Sequence, residues 1–134
     1  MAGALNSIHV AGAIIVKDRK VLATQRSYGD YAGYWEFPGG KIEDGEQPEQ
    51  ALIRELREEL DAEVSIDKLF MIVEHDYPKF HMSMRCYLCS LATGGFTLLE
   101  HRDARWLSRE DIHTVRWLAA DFPVIDELIR QDVI

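Results

Sequence analysis

The run Gln50-Ala51-Leu52-Ile53-Arg54-Glu55-Leu56-Arg57-Glu58-Glu59-Leu60 leaves this chain few ways to fold. Ala51, Leu52, Leu56 and Leu60 form one apolar stripe at helical spacing, and Pro48 suits a first turn. At about 100° per residue, Glu55, Glu58 and Glu59 then gather on the neighbouring face. Three carboxylates side by side repel one another, and a solvated helix gains nothing from crowding them. The helix must press its stripe on a core and offer the glutamates to something positive. All-carboxylate ligation points to a hard cation, so Mg2+ or Mn2+ rather than zinc.

The residues just upstream serve the same end. Gly39-Gly40 lets the backbone approach such an ion without side-chain obstruction. Arg54, four residues before Glu58, can hold a carboxylate in a forked pair, and Glu46 in the preceding acidic loop is a partner for that arginine. Gly40, Glu46 and Arg54-Glu55-Leu56-Arg57-Glu58-Glu59 together resemble the Nudix box, G-x5-E-x7-R-E-U-x-E-E-x-G-U with U aliphatic. Every charged position of that motif is matched. Two departures close it: Asp61 stands at the glycine position and Ala62 at the last aliphatic one. Asp tolerates the left-handed conformation that ends many helices, so Asp61 is expected to cap this one with the ligands intact.

Composition narrows the partners. With 134 residues, 47% hydrophobic and 28% charged, residues 1–134 form a single domain with a full core. No apolar run approaches the roughly 20 residues of a membrane span. The start, Met1-Ala2-Gly3-Ala4-Leu5-Asn6, lacks the basic and apolar segments of a signal peptide, so the expected location is cytoplasmic. Formal charge is -8, and residues 36–63, with ten acids and three bases, carry most of it. Such a face repels a nucleic-acid backbone, so duplex DNA or RNA is not an expected partner; a metal-bridged phosphate substrate suits it. Cys86 and Cys89 lie three apart in a strand-like segment, hence on opposite sides, and are expected to be free structural thiols. The expected state is a monomer or homodimer.

Ile8 to Val16 reads as a buried strand, Lys17-Asp18-Arg19-Lys20 as a turn and Val21 to Gln25 as the hairpin partner. Ser27 to Gly33 is a polar loop, and Trp35-Glu36-Phe37 a short strand with both aromatics on one face. Strands are expected over Val64 to Tyr77 and Phe80 to Leu91, a turn at Thr93-Gly94-Gly95, and short strands at Thr97 to Glu100 and Ala104 to Leu107. Ser108-Arg109-Glu110-Asp111 carries a helix-start signal, and Asp121 opens a last helix striped by Val124, Ile125, Leu128 and Ile129. This order fits no alternating parallel sheet, so the class is α+β. The Nudix resemblance implies an α/β/α sandwich with a mixed β-sheet between helices.

The resemblance also implies roles. Glu55, Glu58 and Glu59, with the Gly39 carbonyl, match metal-holding positions. Glu100, six residues before Trp106, stands where MutT-like members carry an extra catalytic glutamate that acts on metal or as base. Either Glu55 or Glu100 takes the proton of the attacking water, so the catalytic set is Arg54, Glu55, Glu58 and Glu100. Arg26 matches a phosphate-contacting arginine, Phe37 a base-contacting aromatic, and Asp121 lies in a segment like the one that closes over the nucleobase. The implied reaction is hydrolysis of a nucleoside diphosphate linked to another group. In the MutT-like branch that is a nucleoside triphosphate, yielding monophosphate and pyrophosphate. An ionised Asp121 only accepts hydrogen bonds, which suits the amino group of cytosine and makes a (d)CTP-type nucleotide the expected substrate. A protonated Asp121 would serve oxidised guanine, and a helix cap is the plainer role. ADP-ribose or dinucleotide substrates are disfavoured by the lack of an N-terminal extension, and a non-catalytic binding module by the intact box glutamates.

Overall fold

A computed structural model describes residues 6–92 and 94–134. The expectations for residues 1–5, and for Thr93 in the turn at Thr93-Gly94-Gly95, lie outside the described residues. β1 (Asn6–Lys17) and β2 (Lys20–Gln25) form a hairpin whose turn residues Asp18 and Arg19 both have positive φ. That is the backbone of a type I′ turn, whose twist matches the flanking strands. β3 (Trp35–Glu36) and β4 (Gly39–Lys41) follow, then α1 (Pro48–Leu60). The long strands β5 (Val64–Tyr77) and β6 (Phe80–Leu91) pair antiparallel; β7 (Asp103–Leu107) pairs with β2. A 3-10 turn at Ala119–Asp121 leads into α2 (Phe122–Arg130).

The sheet runs β3-β2-β1-β6-β5, with β4 on β1 and β7 on β2. β1 and β6 are parallel, from Asn6 opposite Phe80 to Ile15 opposite Cys89, and the other pairings are antiparallel. The sheet is therefore mixed, as the class α+β required. Because successive strand side chains alternate, β1 feeds two cores. Ala11, Ala13 and Ile15 join Leu52, Leu56 and Leu60 of α1 on one face, while Ile14 joins Val124, Ile125 and Leu128 of α2 on the other. The three α1 leucines are fully buried, worth about 2 kcal/mol each in apolar transfer, which anchors the helix. Cys86 falls in the α2 core and Cys89 in the α1 core, free and on opposite faces. Among the described residues no helix is long and apolar enough to cross a membrane.

Two sequence expectations fail. Thr97 to Glu100 is not a strand. Its Thr97 and Leu99 amides donate to the Leu60 and Glu59 carbonyls, so the segment satisfies the open end of α1 instead of joining a ladder. No helix begins at Ser108 either; Ser108 to Asp111 closes a turn through Asp111 N–H to Ser108 O, and only Ile112 there is buried in the core. Without an apolar stripe, one helical turn has nothing to hold it.

Candidate active site

The box builds its own scaffold. Gln50 accepts the Gln47 backbone N–H at the start of α1. At the other end Asp61 is left-handed, φ 46° and ψ 40°, with Asp61 N–H on Arg57 O and Ala62 N–H on Leu56 O. The Asp61 bond to Arg57 is the left-handed helix stop that glycine usually supplies. Arg54 organises the loop before the helix. Its Nε and Nη2 grip Glu46 at 2.8 and 3.0 Å, Nη1 reaches Glu55 at 3.0 Å and Glu58 at 3.3 Å, and Nη2 also donates to the Lys41 carbonyl. The Arg54 guanidinium, with the Glu43 N–H, holds the Glu46 carboxyl down at about 2. The pairing expected of Arg54, Glu46 and Glu58 is thus present.

Both Gly39 and Gly40 face tight quarters. A Cβ on Gly39, where φ is 154°, would lie 2.0 Å from Ala11 O, and one on Gly40 would lie 2.3 Å from the Glu55 carboxyl carbon. The first position is closed by backbone, the second by a site side chain.

A cavity of about 510 Å³ is lined by these glycines and by residues from the first halves of β1 and β6. Gly39, Glu55, Glu59 and Glu100 line it together with Arg26, Phe37 and Asp121. Glu58, Arg54 and Glu46 do not; Glu58 is half exposed beside Arg54. Ile8, Val10, Phe80, Met82 and Met84 add an apolar lining. Phe37 belongs to both core and cavity, packed against Trp117 with ring centres 4.8 Å apart.

Charge is badly balanced in the acidic half. Burial, and then the charges of Glu36, Glu55 and Glu100, push the Glu59 carboxyl up to about 9 against the pull of the Gly39 N–H. Burial raises Glu55 as well. Glu59 Oε2 is buried without a hydrogen-bond partner. Among the described residues, no three acidic, histidine or cysteine side chains already converge as a closed metal cage. The donor set nonetheless fits a hard divalent cation: carboxylate oxygens only, crowded, partly desolvated and short of positive charge.

Asp121 corrects one expectation. Its side chain makes no capping bond to α2. Trp35 N–H bonds Arg116 O and Leu118 N–H bonds Trp35 O, which ties the segment before α2 to β3 and brings Asp121 to the Phe37 backbone N–H. Burial, then the Glu36 charge, raise its carboxyl well above the usual range, which favours the protonated form. A protonated Asp121 both donates and accepts, which is the alternative the sequence also left open.

Glu36 and His101 line the cavity without any role assigned from sequence. Glu36 takes Arg26 Nη1 at 2.9 Å on one oxygen and His101 Nε2 at 3.1 Å on the other. A charged residue between two aromatics in a short strand was the available signal for Glu36; His101 offered only its place beside Glu100.

Comparison with known proteins agrees with this geometry. The NUDIX domain family model matches residues 7–128. The CTP pyrophosphohydrolase of Escherichia coli (strain K12) is 33% identical over 123 residues, 91% of each chain. The 8-oxo-dGTP diphosphatase of the same strain is 33% identical over 120 residues, 89% of this chain and 93% of that one. The solution structure of the E. coli ORF135 protein superposes with a TM-score of 0.81 at 31% identity, covering 98% of this chain and 95% of that one. Box, sheet and cavity together make this chain a Nudix hydrolase.

Proposed function

We propose that this Nudix hydrolase converts nucleoside triphosphates to monophosphate and pyrophosphate with Mg2+ or Mn2+, and that cytosine nucleotides are its preferred substrates. The observation that carries the reading is a coincidence of unmet demands. Among the described residues, the buried polar side-chain atoms without partners are Arg26 Nε, Glu59 Oε2 and His101 Nδ1, and all belong to side chains lining one cavity. Both carboxylates and apolar side chains line that cavity, as a metal-bound phosphate chain joined to a base requires.

Gly39, Glu55, Glu58, Glu59 and Glu100 would hold the ion, with Arg54 and Glu46 orienting the glutamates. Bound there, a divalent ion supplies the positive charge the carboxylates lack and lowers the barrier to attack on the phosphate chain. Arg26 takes phosphate oxygens on its free guanidinium edge. Water attacks phosphorus, the anhydride P–O bond breaks toward pyrophosphate, and Glu55 or Glu100 accepts the water's proton.

Asp121 and Phe37 read the base. In its protonated form, Asp121 can accept from the cytosine amino group and donate to the adjacent ring nitrogen in one cyclic pair. The relative named CTP pyrophosphohydrolase supports that preference. The protonated carboxyl would also match the carbonyl and N–H edge of guanine, so 8-oxo-dGTP is the second reading. Comparing kcat/KM for CTP, dCTP, 5-methyl-dCTP, dGTP and 8-oxo-dGTP decides between them. A cytosine nucleotide should rank first, and Asp121→Asn should change the ranking; a purine winner overturns the base assignment.

A further inference from the structure

Glu36 spends its two oxygens on different tasks: Oε1 holds Arg26 Nη1 and Oε2 holds His101 Nε2. The His101 side chain is only 6% exposed. A carboxylate only accepts, so Nε2 must carry the hydrogen in this contact. The other carboxylate near Nε2, that of Glu59, lies 3.9 Å away, beyond hydrogen-bond length. His101 is thus committed to Glu36 and not to the acidic residues of α1.

Arg26 shows what the contact achieves. Its Nη1 is taken by Glu36, and its Nε is buried without a partner. In Arg54 the Nε–Nη2 edge grips both oxygens of Glu46. In Arg26 the Nε has no partner and, among the described residues, Glu36 takes only Nη1, so that edge is left for the bidentate phosphate contact it is shaped for. Glu36 sets the angle of the fork, and it lies among carboxylates that repel it; its charge is one of those raising Glu59 and Asp121. A single anchor at Arg26 would leave Glu36 free to swing away from them. His101 is the second anchor.

We infer that His101 is a positioning residue for substrate: the hydrogen bond from its Nε2 fixes Glu36, which presents the free edge of Arg26 to the nucleotide's phosphates. This rests on the cavity being the nucleotide site and extends it from residues that touch substrate to one that acts through another.

The test uses the whole chain and whichever nucleotide the parent hydrolyses fastest. His101→Asn withdraws the donor, whereas His101→Gln returns an amide N–H near the place of Nε2. The Asn variant should raise KM roughly tenfold, the loss expected for one hydrogen bond to a charged group. Its kcat should stay within about threefold and its half-saturating Mg2+ concentration should not move, since metal-holding side chains are untouched. His101→Gln should recover most of the KM. Glu36→Gln should raise KM similarly, and the double variant should be no worse than either single one. A shift in Mg2+ requirement at parental KM would mean that His101 acts through Glu59, and multiplicative KM effects in the double variant would mean that it does not act through Glu36; either result overturns the inference. Should His101→Asn fail to fold, the KM and Mg2+ behaviour of Glu36→Gln and His101→Gln carries the same decision. A parent that turns over another nucleoside diphosphate derivative and no triphosphate refutes the triphosphate reading alone, and the His101 test then runs on that substrate.

Discussion

Glu59→Gln should make the metal-free protein more stable while removing its activity. The Glu59 carboxyl sits at about 9 in the folded protein, raised by burial and by three neighbouring carboxylates, against an ordinary 4.5. Between those values the folded chain holds a proton that the unfolded chain has released. Stability therefore falls as pH rises through that window and is restored below 4.5. At pH 7 the loss is about 3 kcal/mol, an order-of-magnitude figure from 1.36 kcal/mol per pH unit. Glutamine fills the same space and does not titrate. Its carbonyl can take the Gly39 N–H, and its amide can donate to the surrounding carboxylates. A domain of this size shifts by roughly 3–4 °C per kcal/mol, so the variant should melt roughly 10 °C above the parent at pH 7 in chelator. The gap should widen toward pH 9 and close near pH 5. Mg2+ should raise the melting temperature of the parent more than that of the variant, because binding to the folded state alone stabilises it. Calorimetric melts at the three pH values, with and without Mg2+, read all of this. A variant that melts at or below the parent at pH 7 without metal refutes the account of Glu59 as a buried acid in want of a cation.

Three further outcomes are expected. Arg54→Lys exchanges a fork holding Glu46, Glu55 and the Lys41 carbonyl for a point charge, so kcat/KM should drop by roughly 30-fold or more, about 2 kcal/mol; a rate within twofold of the parent contradicts its orienting role. Gly40→Ala drives a methyl into the Glu55 carboxylate, which can swing aside, so activity should collapse while the melting temperature changes little; Gly39→Ala meets backbone and should unfold the protein, and equal stability of the two variants would oppose this. His81 contacts Asp76 first and Glu74 second, which raises its pKa above the usual 6.5, with His9 the other titratable group nearby. The stability it adds is full below 6.5 and lost as pH rises through the raised value, so the melting advantage of the parent over His81→Gln should be present at pH 6 and gone at pH 9; an advantage that grows with pH refutes the pairing.

The box was legible because one helix carries its chemistry. Spacing alone puts Glu55 and Glu59 a turn apart beside a leucine stripe, and the structure buries the stripe and turns both glutamates to the cavity. Glu58, assigned to the same face, sits further round and is half exposed, since three residues on a helix cannot all point one way. Asp61 behaved as its chemistry demands, left-handed at the helix end. The missed residues share a different property. Glu36 on β3 and His101 after β6 are 65 residues apart, and they meet only through the sheet topology. No local period encodes such a pair. Asp121 stands at the N-cap of α2, as an acid before a helix usually does, but its side chain makes no capping bond; the bridge between Trp35 and Trp117 holds the preceding segment against β3. Thr97 to Leu99 has strand-like residues but meets a helix end, not a strand edge.

The central claim is that this cavity splits a triphosphate into monophosphate and pyrophosphate only when a divalent ion joins its carboxylates. Phosphorus NMR of CTP incubated with the protein while Mg2+ is titrated from zero tests it directly. The account predicts no reaction in chelator and, with Mg2+, CMP and pyrophosphate in equal amounts without orthophosphate. Orthophosphate with CDP as the first products, or an undiminished rate in chelator, would contradict it.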